Sequence, residues 1–113
     1  MTISLTCILK NEKPNLERFC HSVSHCFDEY HFTDTGSDDG SVEWLMNEAH
    51  KVLGCDPLQV HVHHFNWIRD FAQARNYVLQ FIKTDFCMWM DLDDALDNKE
   101  NFLAFKEETM PVS

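Results

Sequence analysis

The chain has 113 residues, and 44% of them are hydrophobic, including nine Phe and three Trp, which is enough for one domain, residues 1–113, with a packed core. The formal net charge of −10 argues against nucleic acid or an anionic membrane surface as a partner, although a divalent cation can still bridge an acidic protein to an anionic nucleotide. No apolar run approaches the roughly 20 residues that span a bilayer, so we expect no transmembrane segment.

The first predicted elements are a strand and a helix. Ile3 to Leu9 is an apolar, β-rich run that ends at the polar loop 10–14. This loop interrupts the apolar stretch too early for a signal peptide. Apolar residues then recur at spacings of three and four, which predicts a helix with Pro14 in its first turn (Leu16, Phe19, Cys20, Val23, Cys26 and Phe27).

A second strand and a second helix follow. Glu29 to Thr33 predicts a short strand, and the loop Asp34 to Gly40 comes directly after it. The next helix is expected over about Ser41 to Leu53. Ser41 is a candidate N-cap for this helix, and Gly54 suits its far end.

The third predicted strand carries most of the histidines of interest. Leu58 to Phe65 alternates, with Val60 and Val62 on one side and His61 and His63 on the other. We interpret the two histidines as the solvent side of an edge or half-buried strand, in preference to a metal-ligand role.

The last elements continue the alternation. One apolar stripe predicts a helix near Arg69 to Ile82, and the apolar run Phe86 to Met90 predicts a fourth strand (the stripe is Phe71, Ala74, Val78, Leu79 and Ile82). Residues 98–108 are expected to form a polar helix. Because helices separate the strands, right-handed crossovers should produce a mostly parallel α/β sheet with helices on both faces.

The cysteines indicate the compartment. Five of them are present, an odd number without a C-x-x-C spacing (Cys7, Cys20, Cys26, Cys55 and Cys87). Cys7 and Cys87 lie within apolar runs, where a thiol behaves as a small hydrophobe. We therefore expect a reducing, cytoplasmic location.

Three carboxylates stand at the end of the fourth strand: Asp91, Asp93 and Asp94. Like charges this close repel each other unless something positive is present. Hard divalent cations take oxygen ligands, and magnesium typically binds through one or two carboxylates together with substrate phosphates. The cluster therefore predicts a metal–phosphate site, with a solvated acidic turn as the alternative.

Two further loops should meet this cluster, since parallel strands bring their carboxyl ends to one edge of the sheet, where ligands of open α/β sheets bind. The loop after the first strand offers Asn11 and Glu12. The loop after the second offers Asp34, as an acceptor for a base N–H or a ribose hydroxyl, and Gly36, where the backbone must turn sharply. In the same loop, Asp38 and Asp39 are expected to cap the next helix or to face water.

Four segments carry a family resemblance. Leu9–Glu12 with Asn15–Arg18 resembles the "KNE…NLER" opening of family 2 glycosyltransferases of the GT-A fold. Thr33–Val42 is similar to their "DTGSTDGTV" loop, and Phe65–Asn76 resembles the "F-x-W-x-D-D-F-A-x-A-R-N" segment of one branch. Met90–Leu96 matches the "LDADDxL" form of the DxD motif. The resemblance implies a Rossmann-like, three-layer αβα domain of GT-A type, truncated after the DxD strand.

The resemblance also implies roles for single residues. Asp34 would contact the nucleobase of a nucleotide-sugar, commonly uracil, with Glu12 against the base or ribose. Arg75 would help to close the nucleotide pocket, although its residue type and place alone indicate a helix-surface cation. At the DxD motif, Asp91 would reach the ribose or the water shell of the metal, and Asp93, with Asp94, would ligate Mn²⁺ or Mg²⁺ on the diphosphate.

The length of the chain leaves the function open. A complete transferase of this kind has roughly twice as many residues, beyond the usual size of a small α/β unit. One reading is a metal-dependent glycosyltransferase that binds a nucleotide-sugar donor, with UDP-sugars favoured, and transfers the sugar to an unknown acceptor. The alternative is a truncated, non-catalytic nucleotide-binding module. A sheet that ends after the fourth strand would expose an edge and invite self-association into a homo-oligomer.

Overall fold

The computed structural model describes residues 2–65 and 71–90, in which four strands form one parallel sheet. The order across the sheet is β3-β2-β1-β4. Each predicted strand is present, with the bounds β1 Ile3–Leu9, β2 Glu29–Asp34, β3 Val60–His64 and β4 Phe86–Trp89. β1 lies centrally, between β2 and β4, and β3 pairs with the far side of β2. The parallel α/β architecture is therefore confirmed.

The helices differ from the sequence prediction at their ends. Their bounds are α1 Lys13–Val23, α2 Ser41–Asn47, α3 Ala49–Leu53 and α4 Phe71–Leu79. The helix expected over 41–53 is in fact two helices, because Glu48 has φ −116°, far from the helical value. The candidate N-cap Ser41 is also wrong: Gly40, at φ +91°, precedes the helix and Ser41 is its first residue.

Two other boundaries have local causes. α1 stops at Val23 because Ser24 turns into extended backbone, so Cys26 and Phe27 are buried beyond the helix and not on it. β3 starts later than expected because residues 57–59 form a short 3₁₀ turn. A capping box closes this turn, in which the Asp56 carboxylate accepts from the Leu58 amide and the Gln59 side chain accepts from the Asp56 amide.

The main core lies on one face of the sheet. Alternate side chains of β1 and β2 point to this face and pack against α1, α2 and α3 (Leu5, Cys7, Leu9, Tyr30, Phe32, Leu16, Phe19, Cys20, Val23, Leu45, Ala49 and Leu53). Val60 and Val62 of β3 pack against the same core, as predicted. The buried hydroxyl of Tyr30 donates to the Val23 carbonyl at 2.8 Å, which ties β2 to the end of α1.

The opposite face, under α4, is unusually polar. Ser4, Thr6, His31 and Thr33 are fully buried there or nearly so. The Ser4 hydroxyl hydrogen-bonds with the Thr84 hydroxyl at 2.7 Å, and the Thr6 hydroxyl donates to the Met88 carbonyl at 3.0 Å. His61 and His63 lie on β3, at the edge of the sheet formed by the described residues, and both are half-buried, as expected for an edge or half-buried strand; their rings also stack with His31. With α4 on this face and α1 to α3 on the other, the domain has three layers.

Within residues 2–65 and 71–90, none of the helices combines the length and the apolar character that a membrane crossing requires.

Candidate functional site

The loops after β1 and β2 interlock at the carboxyl edge of the sheet. The Asn11 amide donates to the Ser37 hydroxyl at 2.8 Å, and the Asp38 amide donates to the Asn11 side-chain oxygen at 2.8 Å. The Thr35 amide and hydroxyl both donate to the Leu9 carbonyl. Asn11 adopts φ +53°, a left-handed conformation that asparagine tolerates better than most residues. The expected meeting of these two loops is therefore present.

Asp34 lies at the centre of this edge and is only 5% exposed. Its carboxylate accepts hydrogen bonds from the amides of Gly36 and Ser37 at 3.1 to 3.2 Å. It therefore shapes the loop that follows β2, in addition to any contact with a ligand. Gly36 has φ +120°, a region that side chains rarely enter, so the predicted sharp turn is present.

Glu12 is half-buried beside this loop, directly before α1. Its carboxylate accepts from the Asn15 side-chain amide at 2.8 Å, and its carbonyl accepts from the Asn15 backbone amide at 2.9 Å. The side-chain bond holds the carboxylate at the start of the helix.

Asp39 connects the starts of α1 and α2. Its carboxylate accepts from the Ser41 amide at 3.0 Å, from the Ser41 hydroxyl, and from the Lys13 amide at 3.1 Å. Hydrogen bonding by Ser41 is the main reason why the pKa of Asp39 lies below its usual value. Asp39 thus bonds the first residue of α2, although Gly40 occupies the cap position itself.

Three residues at this edge were missed by the sequence reasoning. The His64 ring nitrogen Nδ1 lies 4.0 Å from the Asp34 carboxylate. The side chains of Lys10 and Lys13 lie over the glycines of the loop after β2, since a Cβ on Gly36 would be 4.0 Å from Lys10 and one on Gly40 would be 3.2 Å from the Lys13 ammonium. The sequence feature that could have indicated these cations is the pair of lysines at the two ends of the K-N-E-K segment (positions 10 and 13).

Arg75 lies on α4 and is exposed. Its guanidinium stands over the Trp89 ring, 5.1 Å from the centroid, a cation–π geometry. Trp89 is the last residue of β4, and the Met90 amide donates to the Thr6 carbonyl at 3.2 Å, so the chain still runs beside β1 at residue 90. Asp91, Asp93 and Asp94 lie outside the described residues.

Comparison with known proteins agrees with this architecture. The sequence matches the family described as "Glycosyl transferase family 2" over residues 4–109. It is 28% identical over 102 residues to the SPbeta prophage-derived glycosyltransferase SunS of Bacillus subtilis strain 168, and equally to glycosyltransferase SunS of Bacillus phage SPbeta. The matched part is 88% of this chain but 22% of either relative, so the chain spans about a fifth of their length.

A solved structure shows the same fold. The crystal structure of S. aureus TarS 1–349 superimposes with a TM-score of 0.75 at 18% sequence identity, covering 95% of this chain and 32% of that one. At this identity the likeness speaks for the fold alone, a GT-A-type α/β domain. Since the family match extends over nearly the whole sequence, the chain belongs to glycosyl transferase family 2.

Proposed function

We propose that this chain binds the nucleotide-diphosphate part of a nucleotide-sugar donor at the carboxyl edge of its sheet, with a UDP-sugar favoured. The main support is the interlocked pair of loops after β1 and β2, which places Glu12 and the buried Asp34 at one edge. β4 runs parallel beside β1 toward the same edge. Ligands of open α/β sheets bind at this edge.

The proposed division of roles follows the chemistry of the side chains. Asp34 accepts a hydrogen bond from the base and Glu12 from the ribose, since both carboxylates are already oriented by hydrogen bonds within their loops. Lys10 and Lys13 place positive charge above the loop after β2 and would attract the diphosphate. Arg75 closes the pocket from α4.

The proposed metal ligands are two aspartates of the DxD motif. Asp93 and Asp94 ligate Mn²⁺ or Mg²⁺, and Asp91 reaches the ribose or the water shell of the ion. The residue types fit a hard cation, which takes oxygen ligands. When bound, the cation would neutralise charge on the departing diphosphate.

Transfer of the sugar is proposed for the longer protein of which such a domain is part. The names of the two SunS relatives describe glycosyltransferases, and this chain spans about a fifth of them. The second candidate is a module that binds the nucleotide or nucleotide-sugar without turnover. Metal-dependent hydrolysis of UDP-glucose by this chain would favour the enzyme, and binding without hydrolysis would favour the module.

The decisive experiment is a thermal-shift panel of UDP, GDP and ADP with and without Mn²⁺. We expect one nucleotide to raise the melting temperature only in the presence of the metal. Asp93→Ala should abolish the shift, because it removes a ligand of the ion, and Asp34→Asn should reduce it by weakening recognition of the base. Glu17→Ala, which removes an exposed carboxylate from α1, is the matched control and should leave the shift unchanged.

Absence of a metal-dependent shift for every nucleotide would overturn the donor-site proposal. A shift that persists in Asp93→Ala would overturn the metal assignment.

A further inference from the structure

A second group of metal-binding side chains lies on the polar face of the sheet, away from the carboxyl edge. Glu29, His31 and His61 each offer one ligand atom, and these atoms all lie within 4.8 Å of one another. Glu29 begins β2 and Asp34 ends it, so five residues of strand, about 16 Å, separate this group from the proposed nucleotide site. The two sites are therefore distinct.

The parallel register of β2 and β3 builds the group. His31 pairs directly with His61, and Glu29 lies two residues before His31, so all three side chains lie on the same face. The two imidazole rings stack with centroids 4.5 Å apart and planes within 10°. As a result both Nε2 atoms are turned toward the Glu29 carboxylate, that of His31 at 3.2 Å and that of His61 at 4.0 Å.

One of these ligand atoms has no hydrogen-bond partner among the described residues. Nε2 of His61 is buried but accepts and donates no hydrogen bond within the described part of the chain. A buried polar atom without a hydrogen-bond partner is destabilising. A cation between Glu29 and the two imidazoles would supply the missing interaction.

His63 contacts the second ring nitrogen of His31. Nδ1 of His31 lies 2.9 Å from Nε2 of His63, which directs the other nitrogen of His31 toward Glu29. A metal-bound histidine usually makes such a bond through its second nitrogen, which orients the ring.

We propose that Glu29, His31 and His61 bind one divalent cation of the zinc class, which would join β2 to β3. Two imidazoles and one carboxylate form a frequent zinc ligand set, with a water in the fourth position, and they favour Zn²⁺, Co²⁺ or Ni²⁺ over Mg²⁺. Bonds of about 2.0 to 2.1 Å in a tetrahedral site hold ligand atoms about 3.3 Å apart. The two Nε2 atoms lie 3.2 and 4.0 Å from different oxygens of Glu29, and the three ligand atoms lie within 4.8 Å of one another, so binding requires them to approach by up to about 1.5 Å.

The site has the access and adaptability that such binding needs. The side chains of Glu29 and His61 are 32% and 38% exposed, so both can adjust and an ion can enter from solvent. His31 is 1% exposed and supplies the rigid ligand. Without a metal, the same residues would serve only as a stack of imidazoles with Glu29 accepting a hydrogen bond from His31.

The test is titration of chelator-treated protein with ZnCl₂ by calorimetry, together with the visible spectrum after Co²⁺ is added. We expect one strong Zn²⁺ site per chain and a Co²⁺ spectrum of four-coordinate nitrogen and oxygen ligands without thiolate charge transfer. His61→Gln and Glu29→Gln should each weaken Zn²⁺ at least tenfold. Circular dichroism of the metal-free variants should match the wild type, because both positions are partly exposed.

Two control variants separate this site from other metal-binding groups. His21→Gln removes a histidine from an exposed pair with Glu17, whose atoms are 3.9 Å apart, and should leave Zn²⁺ affinity unchanged. Asp93→Ala should also leave it unchanged. Equal Zn²⁺ affinity in the wild type and both cluster variants, a thiolate spectrum, or loss of Zn²⁺ binding in Asp93→Ala would overturn the proposal.

Discussion

At the scale of single residues, carboxylates determine the shape of the carboxyl edge before any ligand is present. The Asp34 carboxylate accepts hydrogen bonds from the amides of Gly36 and Ser37. The Asp39 carboxylate accepts hydrogen bonds from the amides of Lys13 and Ser41. Acidic residues in this loop thus organise backbone donors, which explains how a short segment keeps one conformation.

Asp39 permits a prediction about pH. Its pKa is lowered in the folded protein, chiefly by the Ser41 hydroxyl, so the folded state binds a proton less readily than the unfolded chain. The stabilisation from the ionised carboxylate is therefore present above the ordinary value of about 3.9 and is lost as the pH falls through the folded pKa. Asp39→Asn should lower the urea midpoint at pH 7, and the gap to wild type should close toward pH 3.

The neighbouring aspartate is the control for this measurement. Asp38 is exposed, and its backbone amide, which bonds to Asn11, is kept in Asp38→Asn. This variant should follow the wild-type curve closely at both pH values. A gap between Asp39→Asn and wild type that stays constant from pH 7 to pH 3 would contradict the assigned role of the charge.

At the scale of elements, the contact between the α1–β2 turn and the end of α3 depends on a glycine. Gly54 ends α3 with φ +72°, and a Cβ there would lie 2.1 Å from the His25 ring. The His25 amide donates to the Leu53 carbonyl at 3.1 Å, which holds the turn against the helix end. Side-chain size and backbone conformation therefore both favour glycine at this position.

Gly54→Ala should lower the free energy of unfolding by about 1 to 2 kcal/mol from the left-handed backbone, with an added cost from displacement of the His25 ring. Urea unfolding measures the loss. In a His25→Ala background the added cost should disappear while the backbone cost remains. The same loss in both backgrounds would show that the ring moves aside freely, and no loss at all would refute the backbone argument.

The Arg75–Trp89 contact is a second connection between elements, joining α4 to the end of β4. From its residue type and place alone, Arg75 was better explained as a helix-surface cation, because nothing local links position 75 to position 89. The crossover from α4 to β4 places them together. A cation–π contact with an exposed cation contributes about 0.5 to 1 kcal/mol, so its main effect is to orient the guanidinium.

At the scale of the whole molecule, apolar side chains remain exposed around α4 and β4. Leu79, Phe81 and Phe86 are 44%, 40% and 48% exposed. Phe86 begins β4, which within the described residues pairs only with β1. A strand edge with exposed apolar neighbours is a surface at which chains associate. The predicted self-association of this chain therefore belongs to this side of the molecule.

We expect the apparent mass from light scattering to rise with protein concentration. Phe86→Lys should reduce this rise, because it removes apolar area and places a charge at the strand edge. Met46→Lys is the matched control, since Met46 is 64% exposed on α2, which packs near β3 at the opposite edge of the sheet. An equal effect of the two variants would point to general charge repulsion and not to the edge, and a constant mass would contradict self-association.

The sequence by itself determined the elements and their order, because side-chain periodicity is a local property that packing preserved in β1, β2, α1 and α4. It also indicated which loops meet, since parallel strands have only one carboxyl edge. Only the tertiary structure decided the break at Glu48, the bonds that Asn11 makes across 26 residues, and the contact of Glu29 and His31 with His61. These features depend on strand register and on which layer covers a face, and both are set by packing between residues that are far apart in the chain.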